Sequence, residues 1–285
     1  MKSSLMRSAT LFGLVSLLGL SSCTIVPETG RRQFNLISSQ QASTMGLTEF
    51  EKIKRTKAVS SDPSANQMVA RVASRLTRVI PLKDASWEFI VFRDKSPNAF
   101  ALPGGKVGVN TGLFPIAQND AGLAAVLGHE IAHVVAEHGG ERLTHQLGSA
   151  AVGALLGAYL NNQTDMSSGQ RTAVLAAYGA GSVVGHTLPH SRRQELEADQ
   201  IGTLYMARAG YDPREAIALW QRFAAYKAQS GQAKKSDFLS THPLDATRIQ
   251  RLQGIMPQAL AEYQRTTGIT VPLPGYNRPA VEPIR

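Results

Sequence analysis

Cysteine is almost absent. Cys23 is the only one in 285 residues, so no intramolecular disulfide can form. Basic residues outnumber acidic ones, 30 to 21, yet no Lys/Arg run is long enough to line a nucleic-acid groove and no aromatics interleave with the basic positions. The formal charge of +9 therefore reads as a solvated basic surface, with no nucleic-acid partner and at most a weak attraction to anionic membranes. Long apolar runs are missing too. Stretches 147–160 and 172–185 are rich in Ala, Gly, Leu and Val but fall short of the about 20 residues that cross a bilayer. The chain shows no internal repeat, and its length suits one sizeable domain with appendages.

What is present begins with a targeting segment over 1–22. Lys2 and Arg7 give it a positive start, and an apolar stretch runs from Ala9 to Leu20. Leu20-Ser21-Ser22-Cys23 resembles a bacterial lipobox, with an aliphatic residue three before the cysteine. The alternatives are a plain secretory signal with an incidental cysteine and a membrane anchor. A lone cysteine at this one position favours lipidation of Cys23 and a membrane attachment through it. Thr24, where an Asp would signal inner-membrane retention in bacterial lipoproteins, points by that resemblance to the periplasmic face of the outer membrane.

The centre of the chain is His129-Glu130-Ile131-Ala132-His133, inside a segment that predicts a helix from Asp120 to His138. Residues four apart share a helix face, so His129 and His133 can grip one metal ion, with Glu130 beside them to take a proton from water. Leu123, Leu127, Ile131 and Val135 form an aliphatic stripe nearly opposite the histidines, while Ala125, Gly128, Ala132 and Ala136 flank the histidine side. A helix apolar almost all round is a buried one. Two imidazoles and a carboxylate are costly to bury unpartnered, and a metal would compensate.

Around it, helices are predicted over 38–58 with Met45, Leu47 and Phe50 inward, and from Ser60-Ser61-Asp62-Pro63 to Pro81. Strands are predicted at Trp87–Phe92 and on either side of Pro103-Gly104-Gly105. The second of these regions reads either as a simple hairpin or as an edge strand, Asn98, Ala99, Phe100 and Ala101, to which a peptide substrate adds. Gly139-Gly140 suit the end of the histidine helix. The two small-residue stretches read as a helix pair, a lid, or a shallow membrane contact. Further helices follow over 191–210, 213–230 with Ala216, Leu219, Trp220 and Phe223 inward, and 243–263.

A catalytic zinc commonly takes three protein ligands and a water. The third is best sought in Glu195-Leu196-Glu197-Ala198-Asp199, where Glu195 and Asp199 share a face and Ala198 and Gly202 keep it thin. Glu195 would bind the metal, and Asp199 would accept from the free ring N–H of a ligand histidine. The competing reading is an acidic surface helix paired with Arg192 and Arg193. His138, His145, His186 and His190 read as packing or surface histidines, His190 being a minor candidate for the site.

Four blocks, NAFALPGG from Asn98, HEIAHVVAEHGGER from His129, SRRQELEADQIGTLYMARAGYDP from Ser191 and STHPLDATRI from Ser240, together resemble the zinc metallopeptidase family of HtpX and the CAAX prenyl endoproteases, peptidase family M48. Within it the chain is similar to the periplasmic lipoprotein branch of BepA and LoiP, over roughly residues 28 to 255. The resemblance implies an α+β, mostly helical, gluzincin-type domain with a small β-sheet bearing an edge strand beside the active-site helix. It implies one Zn2+ per subunit, polypeptide substrates and metalloendopeptidase activity in envelope quality control. It also implies roles for His242, as oxyanion stabiliser or resting zinc ligand, and for Arg248, as a carrier of developing negative charge. The rival is a chaperone or assembly factor for outer-membrane proteins, tied to their assembly machinery. The expected layout is a signal peptide over 1–22, a lipid-anchored tether over 23–37, the metallopeptidase domain over 38–265 and an irregular tail over 266–285.

Overall fold

The computed structural model describes residues 23–271, apart from 83, 164, 184–186, 231–236 and 245. The expected signal segment, most of the expected tail and His186 lie outside the described residues. The chain divides into two compact units: residues up to Ser38 with Gly139–Thr187, and Ser39–His138 with Leu188 onward.

In the first unit, the expected tether is instead a small antiparallel hairpin of β1 (Cys23–Ile25) and β2 (Arg32–Phe34), with Cys23 opposite Phe34. Its turn is held by the buried Arg31 guanidinium, which donates to both oxygens of Glu141 at 2.7 and 3.0 Å. That charge-assisted fork explains why a polar, Pro- and Gly-bearing stretch is ordered here. The other parts of this unit come from two helices, α5 (His138–Asn161) and α6 (Ser168–Ser182). Ser167 and Gln170 form a capping box at the start of α6. The Tyr178 hydroxyl donates to the Ser149 carbonyl at 2.9 Å, its ring lying over Gly153, where a Cβ would approach it to 3.3 Å. Leu155 and Tyr159 remain exposed. Among the described residues no helix is long and apolar enough to cross a membrane.

The second unit is α+β and mostly helical, with one three-stranded sheet. Its helices are α1 (Ser39–Thr56), α2 (Pro63–Leu76), the short α3 (Phe114–Ala117), α4 (Asp120–Val135), α7 (Leu188–Arg208), α8 (Arg214–Ser230), α9 (Asp237–Thr241) and α10 (Ala246–Thr267). Asp62 caps α2, accepting from the Ser64 amide at 2.9 Å, and Pro63 opens it. The helix stops at Leu76, short of the Pro81 expected to end it. On α1, Phe50 is buried, but Met45 and Leu47 face solvent, contrary to expectation. Three apolar side chains in one stretch did not all lie on the buried face.

Strands β3 (Glu88–Phe92), β4 (Ala99–Leu102) and β5 (Lys106–Asn110) are ordered β3-β5-β4. β5 is central, parallel to β3 and antiparallel to β4, so only β4 is the edge of the expected pair. Phe100 pairs with Gly108, and its ring fills the space where a Cβ on that glycine would stand, 2.3 Å away. Gly104 and Gly105, both at φ +85°, make the turn.

α4 is buried almost throughout and packs against α2, β4, α7 and α8. Asn119 caps it, accepting from the Gly122 amide at 2.8 Å. It ends earlier than expected. Val135 is its last residue, Glu137 takes a left-handed φ of 52°, and His138 opens α5. Gly139 and Gly140 therefore lie in the first turn of the next helix and do not terminate this one. A non-glycine residue terminates it, at a cost of about 1 kcal/mol or more.

α4 and α7 cross where neither has a side chain. A Cβ on Gly128 would stand 2.8 Å from the Gly202 carbonyl oxygen, and one on Gly202 would stand 2.6 Å from the His129 amide nitrogen. The expected close approach of the two helices is thus a backbone-to-backbone contact. Gly202→Ala should lower stability by about 1–3 kcal/mol through overpacking. Gly139→Ala, with open space around it, should be neutral or stabilise by up to about 1 kcal/mol through helix propensity. Urea unfolding midpoints of the two variants check this.

Candidate metal centre

The α4–α7 crossing sets one turn of each helix face to face. His129 and His133, four residues apart on α4, turn their Nε2 atoms to a common point, 3.2 Å from each other. Glu195 of α7 completes the group: its Oε2 is 3.3 Å from His129 Nε2, and its Oε1 is 3.4 Å from His133 Nε2. His242, just past α9, joins from the third side, with Nδ1 3.1 Å from His129 Nε2 and 2.9 Å from Glu195 Oε2. All four side chains are buried, with ligand-type atoms within 4.8 Å of one another.

The donor set fits zinc. Zinc bonds of about 2.0–2.1 Å in tetrahedral array separate neighbouring donors by about 3.3 Å. The imidazole and carboxylate atoms stand at 3.2, 3.3 and 3.4 Å. The chemistry of the group agrees. His129 Nδ1 lies 3.0 Å from Asp199 Oδ1 and His133 Nδ1 lies 2.8 Å from His138 Nδ1, so both ligand rings have their other nitrogen engaged. Two buried Nε2 lone pairs aimed at each other are relieved by a shared cation or proton.

Charge around the point is strongly polarised. Burial lowers His129, but the Asp199 and Glu195 carboxylates outweigh it and raise the ring to about 9. Burial takes His133 the other way, well below the ordinary range. Glu195 is raised by burial but pulled far below the carboxylate range by hydrogen bonds with His129 and His242. Asp199 is likewise held down, against burial, by Arg248. Glu130 differs. Burial dominates and raises it, with a hydrogen bond from the Ala101 backbone opposing. Its Oε1 is buried with no hydrogen-bond partner among the described residues, 3.2 Å from His242 Nε2 but out of alignment. This is a carboxylate held ready for a proton.

The residues singled out in the sequence fall into place unevenly. His129, Glu130, His133, Glu195, Asp199, His242 and Arg248 converge. Ala101 touches the site through its backbone, Ala99 and Phe100 lie beside it on the edge strand, and Asn98 precedes that strand. Arg248 needs correction. Its guanidinium is committed elsewhere: Nε and one terminal nitrogen donate to the two Asp199 oxygens at 2.7 Å each, and the other terminal nitrogen lies 3.2 Å from Glu195 Oε2. It also stacks over Trp220, 3.8 Å from the ring centroid. It supports the carboxylates behind the ligands. Cys23, in the other unit, is exposed.

Two residues were missed. His138, read as a packing or surface histidine, is fully buried, and Glu197, given no role between Glu195 and Asp199, is fully buried with it, 2.9 Å from its Nε2. The signal available was the third histidine five residues after His133, which a continuous helix would have turned off the site. The aromatic wall of Trp220 and Phe238, on which His129 and His242 rest, was half seen.

Comparison with known sequences adds to this geometry. The profile of peptidase family M48 matches residues 63–256. The chain is 37% identical over 237 residues to the mitochondrial metalloendopeptidase OMA1 of Schizosaccharomyces pombe, covering 82% of this chain and 66% of that one. It is 32% identical over 284 residues to its namesake in Saccharomyces cerevisiae, covering 93% and 78%. It is 26% identical over 248 residues to the beta-barrel assembly-enhancing protease of Escherichia coli, covering 85% and 49%. The chain thus spans from about half to about three quarters of these relatives. The names correct the expected location. The proteins matched at 37% and 32% identity are mitochondrial metalloendopeptidases, so the periplasmic face of a bacterial outer membrane does not stand as the expected location.

Removing the guanidinium by Arg248→Met leaves Asp199 and Glu195 buried without their cation. The expected cost is about 3–5 kcal/mol, and Arg248→Lys should restore only part of it because a lysine cannot fork to both oxygens. Thermal unfolding of the two variants checks the order.

Proposed function

This chain belongs to peptidase family M48, and from that premise we propose that it is a zinc-dependent metalloendopeptidase that hydrolyses peptide bonds of polypeptide substrates, misfolded proteins among them. The observation that carries the reading is the convergence of His129, His133 and Glu195 at 3.2–3.4 Å with Glu130 alongside.

His129, His133 and Glu195 would hold the ion. Zinc, when bound, lowers the pKa of a water toward about 7 and polarises a carbonyl. Glu130, on the same turn of α4, takes the proton of the attacking water and returns it to the departing amine nitrogen. Its burial suits both steps, since a carboxylate raised above its ordinary range holds a proton more readily. Asp199 fixes the His129 ring with Nε2 toward the ion, and Arg248 compensates Asp199. An extended substrate adds to the free edge of β4 at Ala99–Leu102, and the Ala101 bond to Glu130 ties that edge to the base.

His242 carries a second role in this reading. Its Nδ1 lies within 3.1 Å of both His129 and Glu195 atoms, which supports reading it as a fourth ligand of a resting site. Its departure from that position would open the site to water and turn the ring to the oxyanion.

The layout expected from the sequence remains part of the proposal. The hydrolytic unit lies within 38–265 with 139–187 inserted, and Cys23 is the lipid attachment after removal of 1–22. The competing reading, client binding with little cleavage, is favoured by one relative's name as an assembly-enhancing protease.

Glu130→Gln separates the two. It should keep stoichiometric zinc by elemental analysis while casein cleavage falls by about 100-fold or more. Cleavage at the wild-type rate by this variant sinks the hydrolytic mechanism. Glu195→Ala should lose the zinc itself, and a chelator should abolish wild-type cleavage without unfolding the protein.

A further inference from the structure

The two ligand histidines are supported differently. His129 meets Asp199 directly, at 3.0 Å. Among the described residues, His133 meets no carboxylate on its far side. There, His138 is interposed: its Nδ1 is 2.8 Å from His133 Nδ1, and its Nε2 is 2.9 Å from Glu197 Oε2. Both His138 and Glu197 are fully buried. We propose that His138 and Glu197 form a positioning relay for His133, which fixes the tautomer and aim of that ligand and so sets zinc affinity. The proposal rests on the metallopeptidase reading and extends it to residues outside the H-E-x-x-H, E-x-x-A-D and His-Pro motifs.

The hydrogen-bond chain has a single consistent direction. A carboxylate only accepts, so His138 donates from Nε2 to Glu197. The His138 Nδ1 is then an acceptor and takes the His133 Nδ1 proton. That leaves His133 Nε2 with its lone pair directed at Glu195 and His129. With Glu197 ionised and both imidazoles neutral, this direction satisfies both contacts of His138. A buried glutamate beside a buried imidazole pair is costly unless each group is hydrogen-bonded, and this direction satisfies all of them.

The backbone is arranged to make the relay possible. A continuous α4 would carry residue 138 about 500° past residue 133, away from it. The left-handed Glu137 breaks the helix and brings the His138 ring back over His133, with ring centroids 4.9 Å apart. Gln194 of α7 donates to the His138 carbonyl at 3.3 Å, holding the turn from the other side. Glu197 lies two residues from Glu195, about 200° around α7. It cannot reach a ligand histidine as Asp199 does, and the extra imidazole spans the gap. One helix thus supplies a carboxylate to the metal position and one to the back of each ligand histidine.

The test is zinc affinity of the purified full chain, measured by competition with a chromogenic chelator. His138→Leu and Glu197→Leu should each weaken zinc binding by about 10–100-fold, the range for residues that orient a ligand from behind. The double variant should be no weaker than His138→Leu alone, because the two act in series. His138→Gln, which can accept and donate through one side chain, should recover part of the loss. Wild-type affinity in folded His138→Leu and Glu197→Leu, or full additivity in the double variant, overturns the relay. Should a variant fail to fold, the wild-type protein decides by nitrogen-15 NMR of its histidines. The relay requires the proton on His133 Nδ1 and on His138 Nε2, and a proton on His138 Nδ1 overturns it. A wild-type chain that takes up no zinc overturns the metallopeptidase reading and the relay together, whereas unchanged affinity in the variants overturns the relay alone.

Discussion

Everything chemical in this molecule depends on two helix backbones touching. Gly128 and Gly202 let α4 and α7 approach until a Cβ on either would collide with the other's main chain at 2.8 Å or less. At that spacing one turn of α4 and one turn of α7 enclose a point between two imidazoles and a carboxylate. At a spacing set by ordinary side chains, interaxial distances of about 8–10 Å, short ligands such as histidine and glutamate would reach with less margin. The surrounding packing of α2, β4 and α8 holds this crossing and supplies the edge strand and Trp220 of the aromatic wall.

The second constraint is electrostatic. Glu130, Glu195, Glu197 and Asp199 are all at most 5% exposed. Arg248, 3% exposed, is committed to Asp199 and Glu195. Isolated buried carboxylates are far too costly to persist. Histidine N–H donors relieve two of them: His129 Nδ1 serves Asp199 and His138 Nε2 serves Glu197. A divalent cation is the natural complement of what negative charge is left. Glu130 is the exception, raised by burial and short of a partner for one oxygen, and this separates the base from the ligands.

Much of this was legible residue by residue. The i, i+4 histidines, the glutamate between them and the thin face around Ala198 and Gly202 follow from helix geometry, and so does the inward face of Ala216, Leu219, Trp220 and Phe223. The hairpin around Pro103-Gly104-Gly105 follows from turn chemistry. Errors clustered where local pattern and tertiary context disagree. Gly139 and Gly140 looked like a helix end, but Glu137 made the break two residues earlier. Met45 and Leu47 looked inward but face solvent. Arg248 looked free for a substrate and is held by Asp199. The polar stretch after Cys23 looked like a tether and is pinned by a buried Arg31–Glu141 pair 110 residues apart. Location was misread for another reason. A short leader pattern was weighed alone, and likeness over most of the chain is shared with mitochondrial metalloendopeptidases.

The sequence by itself determined which atoms could bind a metal. The spacing of His129, Glu130 and His133 on one helix, and of Glu195 and Asp199 on another, is a consequence of 3.6 residues per turn and needs no tertiary contact. Only the folded chain decided that these two faces meet, that Arg248 serves a carboxylate, and that His138 returns to the site. Each of those rests on long-range approach or on one left-handed residue, and helical periodicity carries no information about either.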